Sequence, residues 1–319
     1  MTTLAMDSLA RLDVLAVDER IELVREAPLA PFTTLRVGGP ADRLATPRDA
    51  TQLVACLGMA AAAGVPAFVL GNGSDVVVAD AGIRGLVIRN RARVVTIDGM
   101  TLTADSGAAM AMLVRRCTDA ALGGLEFGIS IPGTLGGAVW ANAGAHGGEI
   151  KDVVRHVTVH DPARGASHRL DASQCGFAYR ESRFKSSGEI VLTASLELTP
   201  GNTEEIAARV DQHLAARRAS QPLADQNAGS VFRNPNGDHA GRLIEAAGLK
   251  GARVGTARVS EKHANFIVTD PRGRAADVRA LGDRVRRMVL ERFGVELAYE
   301  IEFVGDWGAD AAGPARGPA

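Results

Sequence analysis

"LEFGISIPGTLGGAVWANAGAHGG", residues 125–148, holds seven glycines, and Gly123 and Gly124 stand directly before it. Each glycine inside a helix or strand costs roughly 0.5–1 kcal/mol relative to alanine. A tract this dense is therefore no ordinary core element. It marks a place where the main chain approaches something that side chains would keep away.

On the N-terminal side of the tract, short β-rich runs recur between Gly, Asp and Asn: "DVVVAD" (75–80), "GLVIRN" (85–90), "RVVTID" (93–98) and "TLTADSG" (101–107). A helix is expected at about 108–122, with Met110, Leu113, Val114 and Cys117 on one face. On the C-terminal side come the strands "VVRHVTVHDP" and "EIVLTASLEL", and then Pro200, Gly201 and Asn202, which read as a domain boundary. Beyond it the pattern predicts an amphipathic helix over "TEEIAARVDQHLAARR", with Ile206, Val210 and Leu214 inward. A second unit follows: strand "SVF", helix "AGRLIEAAG", strands "ARVS" and "ANFIVTD", and a helix carrying Val278, Leu281, Val285 and Met288. The strands come in hairpin-like clusters rather than strict βαβ alternation, which favours an α+β fold. The organisation expected is an N-terminal extension (1–30), a first domain (31–202), a second, smaller α+β domain (203–305) and a disordered Gly/Ala/Pro-rich tail (306–319).

Bulk properties narrow the class. The chain has 319 residues, 46% hydrophobic and 23% charged, with a formal net charge of −1, so no overall field favours nucleic acid or an anionic membrane. Cys56, Cys117 and Cys175 form no CxxC and no even set, as expected of reduced thiols in a cytoplasmic protein. The N-terminus lacks a continuous apolar core for a signal peptide. Residues 50–74 carry no charge and are long enough to span a bilayer, but "AGVPA" interrupts them. They read better as a buried helix (Leu53, Cys56, Leu57, Ala60), a turn and the core strand "PAFVLG".

Glycine-rich loops often cradle phosphate, because bare N–H groups can converge on an anion. No GxxxxGK[ST] is present. The one GxG, Gly71-Asn72-Gly73, has Val76 where a dinucleotide fingerprint needs its third glycine, and it precedes a strand rather than a helix. Two glycine loops thus remain, "LGNGSD" and the long tract, and together they suit a large cofactor containing a pyrophosphate. His156 and His160 form an HxxxH, but on a β-branched strand they stand about 13 Å apart, too far for one zinc; they read as surface histidines, and no metal site is expected.

Three polar clusters remain. "FAYRESRFK" sets Arg180 ahead of a strand. "NAGSVFRNP" puts Ser230 between a glycine and a β run, with Asn234 four positions on. In "LAYEIEFVG", Leu297, Tyr299, Ile301 and Phe303 face one way, Glu300 and Glu302 the other. Each alone reads equally as a surface ion pair, a turn hydroxyl or a solvated strand position.

In order along the chain, "FTTLRVGGPADRL", "GISIPGTLGGAVWANAGAHGGEI", "YRESRFK", "NAGSVFRNP", "AGRLIEAAGLKG" and "VSEKHANFIV" resemble the UDP-N-acetylenolpyruvoylglucosamine reductase (UDP-N-acetylmuramate dehydrogenase) family. The resemblance implies a vanillyl-alcohol-oxidase-type (PCMH-type) FAD-binding region followed by the smaller substrate-binding domain. It also implies FAD as cofactor, NADPH as hydride donor, and a UDP-sugar enolpyruvyl ether as substrate, with no nucleic acid, membrane or required protein partner. Site residues follow from the matched motifs. Ser230 would donate a proton, and Arg180 and Glu300 would polarise the substrate carboxylate. Gly71, Asn72, Gly73, Ser74, Pro132, Gly133, Thr134, Gly136, Gly137, Asn142, Ala143 and Gly144 would contact FAD. Asn234, Arg217, Lys262 and His263 would bind the UDP-sugar. The chain departs from the family in three places. It lacks the insertion that carries a substrate-binding tyrosine, so it resembles the shorter subtype. Ser220 stands where some relatives have lysine, and Asp75 where asparagine is frequent. A sugar or lactone oxidase of the same fold would have no reason to keep "NAGSVFRNP" and "VSEKHANFIV", and a non-catalytic flavin-binding module none to combine Arg180, Ser230 and Glu300.

Overall fold

The computed structural model describes residues 2–308, with side chains from residue 8 onward. The stretch 309–319, most of the expected tail, lies outside the described residues.

The uncharged segment 50–74 folds as expected. Helix Ala50–Ala63 starts at Asp49, whose carboxylate accepts from the Gln52 N–H (2.8 Å), and stops at Gly64, which adopts the left-handed φ of +67° that glycine tolerates. Leu53, Cys56, Leu57 and Ala60 are buried, and strand Ala67–Leu70 follows. Among the described residues, no helix is long and apolar enough to cross a membrane.

Residues 1–30 are not a mere extension. Strand Val24–Pro28 pairs antiparallel with Pro40–Ala45 at the edge of the first sheet, and helix Thr2–Asp18 buries Leu12 and Ala16 against the face that holds Leu53 and Cys56. In that sheet Pro40–Ala45 and Ala67–Leu70 both run parallel to the central strand Ile83–Arg89, so the hairpin pattern expected there gives way to parallel pairing around helix Ala50–Ala63. The second sheet is antiparallel throughout, in the order Ala166–Asp171, Val154–Asp161, Ile190–Glu197, Thr101–Asp105, Val95–Asp98. Helix Met110–Asp119 buries Met110, Leu113, Val114 and Cys117 in the core that backs this sheet.

His156 and His160 sit on Val154–Asp161 as read, but His160 is buried, with Nδ1 3.2 Å from the Ser167 hydroxyl. It stands opposite Ser167 and Ile190 on the neighbouring strands, and its burial corrects the surface reading.

The boundary at 200–202 also moves. Asn202 caps helix Thr203–Ser220, accepting from the N–H groups of Glu204 and Glu205. That helix buries Ile206 and lays Val210 and Leu214 on the core of the second sheet, while Arg209 clasps Glu126 at 2.7 Å. It therefore packs with the N-terminal region. The C-terminal unit proper has a small antiparallel sheet and the helices Ala240–Ala246 and Ala275–Phe293 around its own core, which also takes in Leu35, Val37 and Val77. Its last strand, Glu302–Val304, returns to pair parallel with Val76–Val78. The two units are thus sewn together beside loop 71–75.

Candidate active site

The glycine tract is built more regularly than its composition suggests. It contains a 3-10 turn (Glu126–Ser130), a short helix (Leu135–Ala141) and a two-stranded hairpin (Gly144–Ala145 with Gly148–Glu149). Much of its glycine serves close packing within the protein. A Cβ on Gly136 would stand 2.8 Å from Ser106 Cβ, one on Gly148 2.6 Å from the Phe127 ring, and one on Gly144 2.7 Å from both Glu149 Cγ and Gly148 O. The Gly136 N–H donates to Ser106 O. His146 is held by the Ser130 hydroxyl (2.8 Å) and stacks on His213 with ring centroids 4.1 Å apart.

Asn142 and Ala143 also serve the protein itself. Asn142 is wholly buried at a left-handed φ of +42°. Its amide donates to Ala178 O (2.8 Å) and Glu149 Oε2 (3.2 Å) and accepts from the Lys151 N–H (2.9 Å). Both ends of the side chain are spent within the protein, bracing the turn before Arg180. Ala143 is tied by its backbone to Ala138 and Ile150. The other expected contacts differ. Pro132 and Gly137 are exposed, and a Cβ on Gly137 would meet nothing nearer than Thr134 Oγ1 at 3.9 Å, so this face is open.

Loop Gly71–Ser74 crosses that face. A Cβ on Gly71 would lie 2.7 Å from Thr134 Oγ1 and one on Gly133 3.4 Å from Ser74 Oγ, while Asn72 Nδ2 donates to Pro132 O at 2.9 Å. Gly73, at φ +61°, has no room for a side chain, because a Cβ would sit 2.4 Å from Phe32 O. Among the described residues, the backbone N–H groups of Gly71, Asn72, Gly73 and Ser74 donate to nothing. Four successive unspent donors on a glycine loop, beside an open face floored by small residues, fit a pyrophosphate and a flat ring. The residues present therefore fit FAD.

The polar clusters converge at the other end of this loop. Arg180 adopts φ +54°, a strained conformation for a non-glycine residue, in the turn closed by Ala178 and Glu181. Its Nε donates to Glu300 Oε1 (2.7 Å) and its Nη2 to Gly144 O (3.0 Å); Nη1 is not engaged by the described residues. Glu300 is fixed in turn, its N–H donating to Val231 O at 2.9 Å. Ser230 precedes Val231, and a Cβ on Gly229, its other neighbour, would stand 4.0 Å from Ser74 O. Asn265 locks this strand by accepting from the Phe232 N–H and donating to Phe232 O. "SVF" is accordingly not a full strand but a single bridge, Phe232 to Tyr299, beside these contacts. The Ser230 side chain makes no hydrogen bond to the described residues, and it is partly accessible.

Sequence reasoning missed a second clasp. Arg233 pairs with Glu181, so two ion pairs tie the "YRE" turn to the C-terminal unit. Behind them Lys185 lies 4.4 Å over the Trp140 ring, and burial, then Arg233, depress its ammonium. Asp75 faces the same pocket of charge; burial, then Glu302, push its carboxyl up to about 6, with Lys185 pulling the other way. The acid Glu181 among the cations of "YRESRFK" and the lone Arg233 of "SVFRNP" were the available signal.

The expected substrate ligands are less united. Asn234 Oδ1 accepts from the Ala240 N–H (3.1 Å), at the start of helix Ala240–Ala246. His263 is packed edge-on against Phe266 and accepts from the Asn265 N–H at 3.2 Å. That contact supports Asn265, and burial lowers the His263 pKa. Arg217 donates to Gln221, and Lys262 reaches Arg218 O at 2.6 Å. Lys262 lines a cavity of about 240 Å³ with Arg258 and Ser260. None of these contacts joins Arg217, Lys262 or His263 to the Arg180–Glu300 pair.

Comparison with known proteins decides the family. The enzyme named UDP-N-acetylenolpyruvoylglucosamine reductase 2 of Symbiobacterium thermophilum is 46% identical over 283 residues, covering 88% of this chain and 92% of that one. The chain belongs to the UDP-N-acetylenolpyruvoylglucosamine reductase family. The Moorella thermoacetica reductase is 45% identical, covering 94% and 99% of the two chains. A model of the family's C-terminal domain matches residues 221–304, and an FAD-binding domain model matches 41–171. The crystal structure of the reductase from Thermus caldophilus superposes with a TM-score of 0.75 at 38% identity, covering 89% of this chain and 98% of that one. The family's C-terminal model begins just after helix Thr203–Ser220, where the packing also divides the chain.

Proposed function

We propose that this protein reduces the enolpyruvyl ether of UDP-N-acetylglucosamine to the lactyl ether, UDP-N-acetylmuramate, a peptidoglycan precursor. NADPH is the electron source and FAD the cofactor. The observation that carries this reading is the convergence of three groups from distant parts of the chain: the Arg180–Glu300 ion pair, the Val231–Glu300 backbone link and the uncommitted Ser230 hydroxyl.

When bound, FAD would supply the hydride chemistry, recharged by NADPH, for the methylene carbon of the enolpyruvyl group. The protein's part is electrostatics and one proton. Charge builds on the substrate carboxylate as the double bond is reduced, and the free Nη1 of Arg180 is available to that carboxylate. Glu300 and Gly144 O hold the guanidinium so that little reorganisation is needed when charge develops. Ser230 then delivers a proton to the carbon that bears the carboxylate. A serine is a weak acid, but that carbon is strongly basic at this point, so the transfer runs downhill. Hydride and proton together convert CH₂=C to CH₃–CH, and solvent restores the hydroxyl. Asn234, Arg217, Lys262 and His263 are assigned to the UDP-sugar side, His263 acting through Asn265.

The first unit, residues 31–202 joined by the N-terminal elements and helix Thr203–Ser220, is assigned to FAD, and the C-terminal unit to the UDP-sugar. The three cysteines are free and buried, which suits a reducing cytoplasm. The test is anaerobic. NADPH should bleach the bound flavin, and the enolpyruvyl UDP-sugar should restore its absorbance with one equivalent of UDP-N-acetylmuramate formed. Reduced flavin that persists in the presence of the sugar nucleotide would overturn the reading.

A further inference from the structure

Two ion pairs join the turn at residues 178–181 to the C-terminal unit, and the reaction as derived uses only one of them. Arg180 and Glu181 stand next to each other on the turn and carry opposite charges. Their partners, Glu300 and Arg233, lie on two segments that are themselves tied together. The Arg233 N–H donates to Ala298 O (2.9 Å), the Glu300 N–H donates to Val231 O (2.9 Å), and Phe232 bridges to Tyr299 between them. The pattern is reciprocal. Exchanging partners would set Arg180 against Arg233 and Glu181 against Glu300, so the charges admit one register only.

Proton delivery needs that register. Ser230 belongs to the C-terminal unit, three positions before Arg233, whereas Arg180 belongs to the turn of the first unit. The tie from Arg180 to Glu300 is a single Nε–Oε1 contact of 2.7 Å, about which the two units can pivot. A second tie at the adjacent residue removes the pivot. Both of its ends are anchored. The Ser182 hydroxyl donates to Trp140 O at 2.6 Å on the turn side. On the other side Asn265 clasps Phe232, whose ring stacks on Tyr299 with centroids 5.0 Å apart.

Magnitudes separate the possible roles. The Glu181 side chain is 41% exposed, and such a pair contributes only about 0–1 kcal/mol to stability. A displacement of about 1 Å between reacting groups, in contrast, costs roughly 10²-fold in rate. We propose that Glu181 and Arg233 are positioning residues, whose ion pair sets where Ser230 stands relative to the carboxylate held by Arg180. This rests on the reading above that Ser230 protonates the carbon beside that carboxylate. The pair acts through Arg180 and Ser230.

The test uses the FAD-loaded full chain, with each half-reaction followed by stopped flow. Glu181→Gln and Arg233→Gln should each slow reoxidation by the enolpyruvyl UDP-sugar roughly 10- to 100-fold. Reduction by NADPH and the KM for the UDP-sugar should stay nearly unchanged, because Arg180 still holds the carboxylate. The double variant should be no slower than the slower single one, since both remove the same link. Arg233→Lys should recover part of the rate. Arg209→Gln breaks the comparable pair with Glu126 away from the site and should leave both half-reactions unchanged. Flavin content and circular dichroism check folding, and the isosteric Glu181→Gln carries the test if Arg233→Gln does not fold. Unchanged reoxidation, equal slowing of both half-reactions, or additive slowing in the double variant would overturn the proposal. So would a raised KM for the UDP-sugar at an unchanged reoxidation rate, since the pair would then bind substrate. Fast reoxidation in Ser230→Ala would instead sink the reading on which the proposal rests.

Discussion

Loop Gly71–Ser74 and the tract 123–148 are both glycine-rich, yet their glycines do different work. In the loop, four consecutive N–H groups are unspent, and the cavity beside them is lined with arginines. In the tract, most positions are consumed internally: Gly136 against Ser106, Gly148 against Phe127, Asn142 against Ala178 and Lys151. The face at Pro132 and Gly137 and the hairpin tip at Gly147 remain open. Glycine density signals close approach, but the state of the N–H groups tells whether the neighbour is a ligand or more protein. The loop leaves its donors open; the tract mostly braces, and through Asn142 and Gly144 it braces Arg180.

That division can be broken at defined positions. Asn142→Ala should do the most damage to the fold, because it strands the Ala178 carbonyl and the Lys151 N–H and puts alanine at a left-handed φ. Each buried group left unpaired costs about 1–3 kcal/mol, so chemical denaturation of the stripped protein should show a loss of about 2–4 kcal/mol. A loss no larger than a typical surface substitution would mean that Asn142 braces nothing.

Adjacent glycines give a finer contrast. Gly136→Ala must displace Ser106 and should cost about 1–3 kcal/mol by overpacking. Gly137→Ala meets open space in a helix, so the stripped protein should gain up to about 1 kcal/mol, while FAD affinity falls because the new methyl stands on the ligand's face. Equal behaviour of the two variants in thermal melts and flavin titration would dissolve the distinction between packed and open glycine.

The smallest effect concerns Asp75, at the foot of the loop. Its carboxyl titrates near 6 in the folded protein, above its usual 3.8. A raised carboxyl stabilises the fold fully below its ordinary pKa, and that contribution is lost as pH rises through about 6. Asp75→Asn should therefore be more stable than wild type at pH 8, by on the order of 1 kcal/mol, with the advantage fading toward pH 4. Parallel urea denaturation curves at both pH values check the sign; an advantage confined to low pH would contradict it.

Much of the fold was legible because local chemistry announced it. Asp49 and Gly64 bracket helix Ala50–Ala63, and the spacing of Met110, Leu113, Val114 and Cys117 marks the next one. The strand Val24–Pro28 was hidden because "VREAP" is a largely exposed edge with no apolar alternation. The burial of His160 depends on two flanking strands, which no local pattern reports. In the site, Arg180, Ser230 and Glu300 were named through motif resemblance, and the fold supplies what links Arg180 to Glu300 and Glu300 to the strand of Ser230. The bracing role of Asn142 was not legible, because its partner Ala178 is 36 positions away. The arginine cavity was missed because Arg36 and Arg89 come together only when strand Ile83–Arg89 ends beside Phe32.

The central claim is that Ser230 supplies the proton while the loop and the tract hold the rest of the machinery in place. Stopped-flow measurement of the two half-reactions in Ser230→Ala tests it most directly. Reduction of the bound flavin by NADPH should proceed at nearly the wild-type rate, because that step needs no such proton. Reoxidation by the enolpyruvyl UDP-sugar should slow by about 10²–10⁴-fold, with partial recovery in Ser230→Cys. Equal slowing of both half-reactions would make Ser230 a structural residue and contradict the account.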